Sequence, residues 1–399
     1  MRSNYKKLGG YIREVNNRDS AMNVDLLLGV SIQKTFIPSI ANTIGTDMST
    51  YKIVKKGQFG YGTVTSRNGD KISITLLEGN EEAIVSQAYK TFEVVDINEL
   101  DPQYLMMWFR RPEFDRYARF MSHGSTREVF GWEEMCDVEL PVPSIEKQRE
   151  IVKEYNVVKD RIDLNNKLIQ KLEETAQAIY KQWFVDFEFP DEDGNPYKSS
   201  GGEMVWCEEL KKEIPNGWEV DSLNGIANYL NGLAMQKYSA NSSDFIPVIK
   251  IRELSNGLPD VSSDKARTNI PKEYIIDNGD VIFSWSGTLK VEIWTGGKGG
   301  LNQHLFKVTS MNYEKWFYYL WTKFHLEEFI RVAAGKAVSM GHIKRENLDQ
   351  AKVLIPPTPQ LNKMDQVMKP IFAMIINHKI EKRSLLEIKD LLLSKLATC

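Results

Sequence analysis

The apolar positions between Pro143 and Trp183 follow a heptad pattern, with alternating steps of four and three residues. Ser144 and Glu146 stand where a helix N-cap and an acidic first turn are expected, so the pattern predicts one long helix. At 1.5 Å per residue, the seam of this helix is about 50 Å long. Its seam, which has a single polar member, consists of Ile151, Tyr155, Val158, Ile162, Asn165, Ile169, Leu172, Ala176, Ile179 and Trp183.

A second seam occurs near the C-terminus, at an offset of 213 residues from the first. Its positions are Met364, Met368, Ile371, Ile375, His378, Lys382, Leu385, Lys389, Leu392 and Leu396. In a compact antiparallel return, Asn165 and His378 fall at the same level and form a polar layer that sets the helix register. The intervening chain is long enough to permit either direction of the second helix. The alternative is therefore that the two side chains do not meet and are merely solvated.

The segments that precede the two long helices repeat the same order of signals. Strand-like runs surround a turn at Gly57 and again at Gly279, and aromatic helices are predicted at 104–109 and 316–321. The predicted fold class is α+β: two similar mixed α/β domains, each followed by a long helix, with the helices forming an antiparallel coiled coil of pseudo-two-fold symmetry. The predicted segments are domain one (1–142), a central long helix (143–186), a polar connector (187–214), domain two (215–355) and a C-terminal long helix (356–399).

Composition excludes several classes of protein. A chain of 399 residues with 42% hydrophobic and 26% charged residues is typical of a globular protein of two or three domains. We expect no membrane segment, since no charge-free stretch is long enough to cross a bilayer. Cys136, Cys207 and Cys399 are isolated, which indicates a reducing cytoplasm and neither a disulfide framework nor a zinc site. A net charge of −3 argues against a protein that binds nucleic acid by bulk charge alone.

Motifs for catalysis are missing or poorly placed. The chain has no phosphate-binding GxxxxGK[ST] loop, no Asn-Pro-Pro-aromatic loop of the amino-methyltransferases and no paired metal-ligating histidines. Pro190-Asp191 followed by Glu209-Leu-Lys211 fits the loose PD…(D/E)xK pattern of metal-dependent nucleases, but both halves lie in the turn-rich connector. We therefore predict no catalytic residue and no metal site. Two alternative functions stay open. In one the chain is a nuclease or methyltransferase that acts alone, and in the other it is a coiled-coil scaffold that does not bind DNA.

Three motifs and their order resemble the specificity subunit of type I restriction–modification enzymes. They are Leu-Pro-Val-Pro143 with Gln148 at the start of the first helix, Lys181-Gln-Trp-Phe-Val-Asp-Phe187 at its end, and Pro-Asn-Gly-Trp218-Glu-Val at the start of domain two. Together with the duplicated order of domain and helix, the resemblance covers essentially the whole chain. The start of the second helix, Pro357-Thr-Pro-Gln360-Leu, departs from the acidic-glutamine pattern usual in the family.

The resemblance implies two target recognition domains, each reading one half of a bipartite, asymmetric sequence of double-stranded DNA, with the helices as a ruler. It also implies docking of two modification (methyltransferase) subunits and of restriction subunits that translocate and cleave DNA. S-adenosylmethionine, ATP and Mg²⁺ are then expected on those partners, and no cofactor on this chain.

DNA contacts require polar or basic side chains on loops between apolar runs. Those predicted in domain one are Gln33, Lys34, Tyr61, Ser66, Arg67 and Asn68. Those predicted in domain two are Lys250, Arg252, Ser284, Trp285, Thr288, Lys290, Lys298 and Lys336. The alternative for each is an ordinary solvated loop residue. Because the net charge is slightly negative, we expect weak, salt-sensitive DNA binding by the isolated chain.

Overall fold

The computed structural model describes residues 4–39, 45–66, 68–124, 127–240, 243–334 and 342–398. The chain divides into two compact units, which are described separately. Unit 1 comprises Met1–Asp160 and Leu385–Cys399, and unit 2 comprises Arg161–Ser384. Each unit therefore contains one mixed α/β domain and parts of both long helices.

Unit 1 is built on short strands followed by helices. Its elements are β1 (Tyr5–Lys7), β2 (Ile12–Val15), β3 (Leu27–Val30), β4 (Phe36–Pro38), β5 (Lys52–Lys55), β6 (Gln58–Gly62), β7 (Ile74–Leu76), β8 (Glu82–Val85), β9 (Tyr89–Val94), α1 (Pro102–Phe109), α2 (Pro112–Phe120), α3 (Trp132–Cys136), β10 (Glu139–Pro141) and the first part of α4 (Ile145–Tyr180). One sheet has the antiparallel order β2-β9-β6-β7. Another has the order β4-β3-β8-β5 with β3 and β8 parallel, and β1 pairs with β10.

Unit 2 repeats this topology. Its elements are β11 (Met204–Cys207), β12 (Lys212–Pro215), β13 (Glu219–Ser222), α5 (Leu223–Ile226), β14 (Asn228–Asn231), β15 (Ile246–Ile249), α6 (Ile251–Asn256), β16 (Lys265–Ala266), β17 (Ile275–Ile276), β18 (Val281–Ser284), β19 (Lys290–Ile293), β20 (Gly299–Leu301), β21 (Leu305–Thr309), α7 (Lys315–Phe324), α8 (Leu326–Ala334), α9 (Arg345–Gln350), β22 (Lys352–Ile355) and most of α10 (Thr358–Lys395). The antiparallel sheet β14-β21-β18-β19 corresponds to β2-β9-β6-β7. The sheet β16-β15-β20-β17 has the same single parallel pair, and β13 pairs with β22 as β1 does with β10.

Local sequence explains why equivalent elements form. The turns before β6 and β18 place Gly57 at φ +85° and Gly279 at φ +91°, a left-handed backbone that glycine adopts without strain. Asp101 caps α1 by accepting hydrogen bonds from the backbone N–H groups of the first turn. The aromatic helices α1 and α7 then bury most of their surface in the cores of their own units. The duplication predicted from the sequence is confirmed by the shared topology.

Segment 187–214 does more than connect two domains. It contributes the hairpin β11–β12, and Phe187 and Phe189 are buried in the core of unit 2. The ring of Phe189 stacks on that of Trp218 with centroids 5.1 Å apart. The polar composition of this segment did not indicate this role, because two aromatic residues are enough to anchor a chain whose other side chains stay in solvent.

The long helices are antiparallel where they meet in unit 2. His378 Nδ1 and Asn165 Oδ1 are 2.9 Å apart, and Arg161 Nε donates to Glu381 Oε1 at 2.7 Å. Residue numbers thus increase along α4 as they decrease along α10, which confirms the predicted antiparallel polar layer. Asn165 is fully buried.

The predicted seam is largely correct. Ten of its residues are buried, namely Tyr155, Ile162, Asn165, Ile169, Ala176, Trp183, Met364, Met368, Ile375 and Leu396. The others are half-buried, namely Ile151, Val158, Leu172, Ile179, Ile371, His378, Lys382, Leu385, Lys389 and Leu392. At Ile151, Ile371 and Leu392, the buried residue is instead the next one along the chain. These buried neighbours are Val152, Phe372 and Leu393. This shift of one residue is expected because a 3.6-residue turn drifts against a strict heptad.

Candidate nucleic-acid interface

In unit 1, three loops lie at one end of the sheets. They are 31–35 after β3, 63–66 with 68–73 between β6 and β7, and 86–88 between β8 and β9. Asp115 of α2 ties two of them together, because its Oδ1 accepts from Lys34 Nζ at 2.7 Å and from the backbone N–H of Ile72 at 3.1 Å. We call these three loops loop cluster 1.

The equivalent loops of unit 2 lie at the same end of its sheets. They are the segment at Lys250 after β15, 285–289 between β18 and β19, and 302–304 between β20 and β21. Asn302 donates its backbone N–H to Ile249 O at 3.1 Å, and Trp285 donates its own to His304 O at 3.4 Å. These contacts bring the three segments together. We call them loop cluster 2.

Seven of the residues predicted to contact DNA fall in these clusters. Among them, Gln33, Ser66 and Thr288 are exposed, Asn68, Lys250 and Trp285 are half-buried, and Lys34 is buried. The exposed Arg252 lies in α6 and the half-buried Lys290 begins β19, each next to loop cluster 2. Lys298 is also exposed, but it lies in the loop between β19 and β20, at the other end of β19, so the structure separates it from loop cluster 2. Arg67 and Lys336 lie outside the described residues.

Burial rules out DNA contact for three of the predicted residues. Lys34 is 5% exposed, and its ammonium is held by Asp115 and by the backbone carbonyl of Phe109. Burial lowers the pKa of Lys34, while the neighbouring Asp115 opposes that shift. Tyr61 and Ser284 are fully buried, since both point from a strand into the interior and not from a loop into solvent.

The basic residues near α6 are engaged by acids. Lys250 Nζ lies 2.5 Å from Asp264 Oδ2, and Arg252 Nη2 lies 2.6 Å from Glu253 Oε1. These ion pairs compete with phosphate for the same cations, so each contributes less to DNA affinity than a free cation would. Acidic side chains thus offset the basic ones near α6, as they do over the whole chain, whose net charge is −3.

Sequence reasoning missed a hydrogen-bonded cluster within loop cluster 2 and at the adjacent end of β14. Ser286 Oγ lies 3.0 Å from His304 Nδ1, and Gln303 Nε2 lies 3.4 Å from His304 Nε2. Trp285 donates its indole N–H to Asn231 Oδ1 at 2.9 Å. A signal for Gln303 existed, because Asn302-Gln303 occupies the place of Ser86-Gln87 in the repeat.

The long helices carry exposed apolar residues on their outer faces, away from the seam. These are Val157 and Leu164 on α4, and Val367, Met374, Ile388 and Leu391 on α10, with exposed fractions of 43–63%. Scattered exposed apolar residues are common, but heptad spacing such as that of Val157 and Leu164 is typical of a helix face that packs against another helix.

The described residues hold no group of three or more side chains able to ligate a metal ion. In the same part of the chain, no helix has the length and apolar content needed to span a membrane.

Two domains of one topology, with different side chains at equivalent loop ends and long paired helices, define a two-site recognition protein. The family described as "Type I restriction modification DNA specificity domain" matches residues 32–174 and 215–389, so it covers both repeats. The chain belongs to this family. It is accordingly a specificity protein and not an enzyme.

Individual relatives agree with this assignment. The specificity subunit of type I restriction enzyme MjaIX of Methanocaldococcus jannaschii is 31% identical over 304 residues, which cover 74% of this chain and 68% of that protein. The HindI specificity subunit of Haemophilus influenzae is 22% identical over 401 residues, covering 86% of each chain. The type I restriction-modification S subunit of M. genitalium superposes with a TM-score of 0.59 over 98% of this chain and 95% of that one. At 14% sequence identity, this last likeness concerns the fold alone.

Proposed function

We propose that this chain reads a bipartite, asymmetric sequence of double-stranded DNA, with one half-site bound by loop cluster 1 and the other by loop cluster 2. The observation that carries the proposal is the repetition of one sheet topology with different loop residues. Equivalent scaffolds present loops in equivalent ways, so different side chains at those loops select different base pairs. For instance, the exposed Ser66 lies in the loop equivalent to the one that carries Trp285 and Thr288.

The long helices act in this proposal as the ruler that fixes the spacer between the half-sites. Each helix passes along the chain from one unit into the other, so a shift in helix register changes the spacing of the two readers. The pair of the buried Asn165 and the half-buried His378 supports this role, because a single polar layer in an apolar seam disfavours other registers.

The same proposal gives the chain two kinds of partner. Two modification subunits dock on the helices, where Val157, Leu164 and Met374 offer exposed apolar surface. Restriction subunits join that complex. S-adenosylmethionine, ATP and Mg²⁺ bind those partners, and none of them binds this chain. The free thiols of Cys136 and Cys207 are consistent with action in a reducing cytoplasm.

The test is methylome sequencing of cells that express this chain together with its modification subunits. We expect methyladenine in each half of one bipartite motif with a fixed spacer. Cells that express the modification subunits alone serve as the control and should lack the motif. Methylation at a continuous motif, or at no motif, would overturn the proposal.

A binding experiment tests the division of labour. The isolated chain should bind the motif weakly and lose affinity steeply as salt rises, because few unpaired cations face the DNA. Addition of modification subunits should strengthen binding by orders of magnitude. Equal affinity of the isolated chain and the complex would contradict this arrangement.

A further inference from the structure

Gln303 lies at the end of the unit 2 sheet that we assign to DNA, in the short loop between β20 and β21. Its side chain is half-buried, so part of the amide remains accessible. The adjacent Asn302 is 3% exposed and holds the loop through its backbone N–H bond to Ile249 O. Gln303 thus projects from a fixed backbone, which is what a base-reading side chain requires.

A hydrogen-bonded relay orients the amide. The amide nitrogen of Gln303 lies 3.4 Å from His304 Nε2, and because this nitrogen is only a donor, Nε2 must be the acceptor. The proton of the neutral imidazole is then on Nδ1, which donates to Ser286 Oγ at 3.0 Å. In this tautomer, Ser286 and His304 hold the Gln303 amide with its nitrogen towards the imidazole and its oxygen free to face the ligand.

In this orientation, one N–H of Gln303 is used by His304, while within the described residues the second N–H and Oε1 make no further hydrogen bond. A donor and an acceptor side by side on one amide match the N7 acceptor and the N6 amino donor of adenine in the major groove. The other major-groove edges lack this adjacent pair, since guanine offers two acceptors and cytosine a donor.

We propose that Gln303 is a base-reading residue that selects an adenine in the half-site bound by unit 2, and that His304 and Ser286 are positioning residues that orient its amide. The inference rests on the proposed function, because it assumes that loop cluster 2 faces DNA. Gln87 occupies the equivalent loop in unit 1 and is exposed, so it serves as a matched control.

The first test is methylome sequencing with the variant Gln303→Ala in the complete complex. One adenine position in one half-site should become degenerate, with a loss of discrimination of about 5- to 150-fold. The other half-site and the spacer should stay unchanged. Gln87→Ala should leave the half-site altered by Gln303→Ala at its wild-type sequence.

The second test resolves the contact to single atoms. Duplexes that carry 7-deazaadenine at the identified position lack the N7 acceptor but pair normally. The wild-type complex should bind them more weakly than the adenine duplex, whereas the Gln303→Ala complex should bind both equally. Equal binding by the wild-type complex would overturn the inference.

Gln303→Glu keeps the test decisive if Gln303→Ala impairs folding. Glutamate offers acceptors only, so it should shift the preferred base from adenine towards cytosine, whose N4 amino group is a donor. A bipartite motif that is unchanged in both variants would refute the role of Gln303 and leave the proposed function intact. Absence of a bipartite motif in the wild type would instead refute the proposed function.

Discussion

Removal of the polar layer in the helix seam has an effect that follows from its geometry. Asn165→Ala removes the 2.9 Å hydrogen bond to His378 and leaves the ring nitrogen without that partner. An unsatisfied buried polar group costs about 1–3 kcal/mol. The side chain of His378 is 21% exposed, so water reaches it in part, and we expect a loss near the lower bound, about 1 kcal/mol. For a unit of this size, that loss lowers Tm by about 2–4 °C.

The double variant Asn165→Leu with His378→Leu should behave in the opposite way. Asn165 is fully buried, and among the described residues its amide nitrogen has no hydrogen-bond partner. A buried leucine at this position adds about 1.5–3 kcal/mol of apolar burial. We expect the double variant to be more stable than the wild type but less specific in register, so that methylation occurs at motifs with more than one spacer length.

Urea unfolding followed by tryptophan fluorescence, together with calorimetry, measures both effects. Lys171→Ala serves as the control, because Lys171 is on the same helix, its side chain is 76% exposed and its ammonium pairs with the exposed Glu174. It should change stability by less than about 0.5 kcal/mol. A double leucine variant that is less stable than the wild type would refute the reasoning, as would a loss in Lys171→Ala equal to that in Asn165→Ala.

Three further predictions concern other contacts. Lys34→Met should destabilise unit 1 by about 3–5 kcal/mol in urea unfolding, because it leaves the buried carboxylate of Asp115 without its cation. Burial alone raises the pKa of Glu253, but hydrogen bonds hold the pKa below its usual range. The stability that Glu253 contributes is therefore present above pH ~4.5 and is lost as the pH falls through the lowered pKa of the folded state. Glu253→Gln should flatten the acid side of the curve of unfolding free energy against pH. Gly232→Ala should destabilise unit 2 by about 1–3 kcal/mol in the same assay, since its Cβ would come within 2.2 Å of the carbonyl oxygen of Asn302.

Each of these predictions has an opposing result. A wild-type stability for Lys34→Met would show that the pair contributes nothing beyond apolar packing, and Lys56→Met is the exposed control because its pair with Glu81 lies in solvent. Parallel acid profiles for Glu253→Gln and the wild type would contradict the assigned pKa direction. An unchanged free energy of unfolding for Gly232→Ala would mean that the loop of Asn302 moves to accommodate the added methyl group without destabilising unit 2.

The duplication, the long helices and the polar layer were all predictable from the sequence. Heptad spacing and a constant offset are periodic signals, and they survive changes of individual residues because the seam needs only apolar side chains at fixed steps. The turns at Gly57 and Gly279 were also predictable from the sequence. A positive φ favours glycine, so a glycine between two strand-like runs indicates such a turn.

The candidate DNA contacts depended on tertiary structure. A polar residue near a loop has the same appearance in sequence whether it projects into solvent, as Ser66 does, or turns inward to pair with a distant acid, as Lys34 does with Asp115. Ser286, Gln303 and His304 meet only because β18 and β21 are neighbours in one sheet. Sequence determined the periodic framework of this protein, and the fold decided which loop side chains share a surface, because such contacts join residues far apart in the chain.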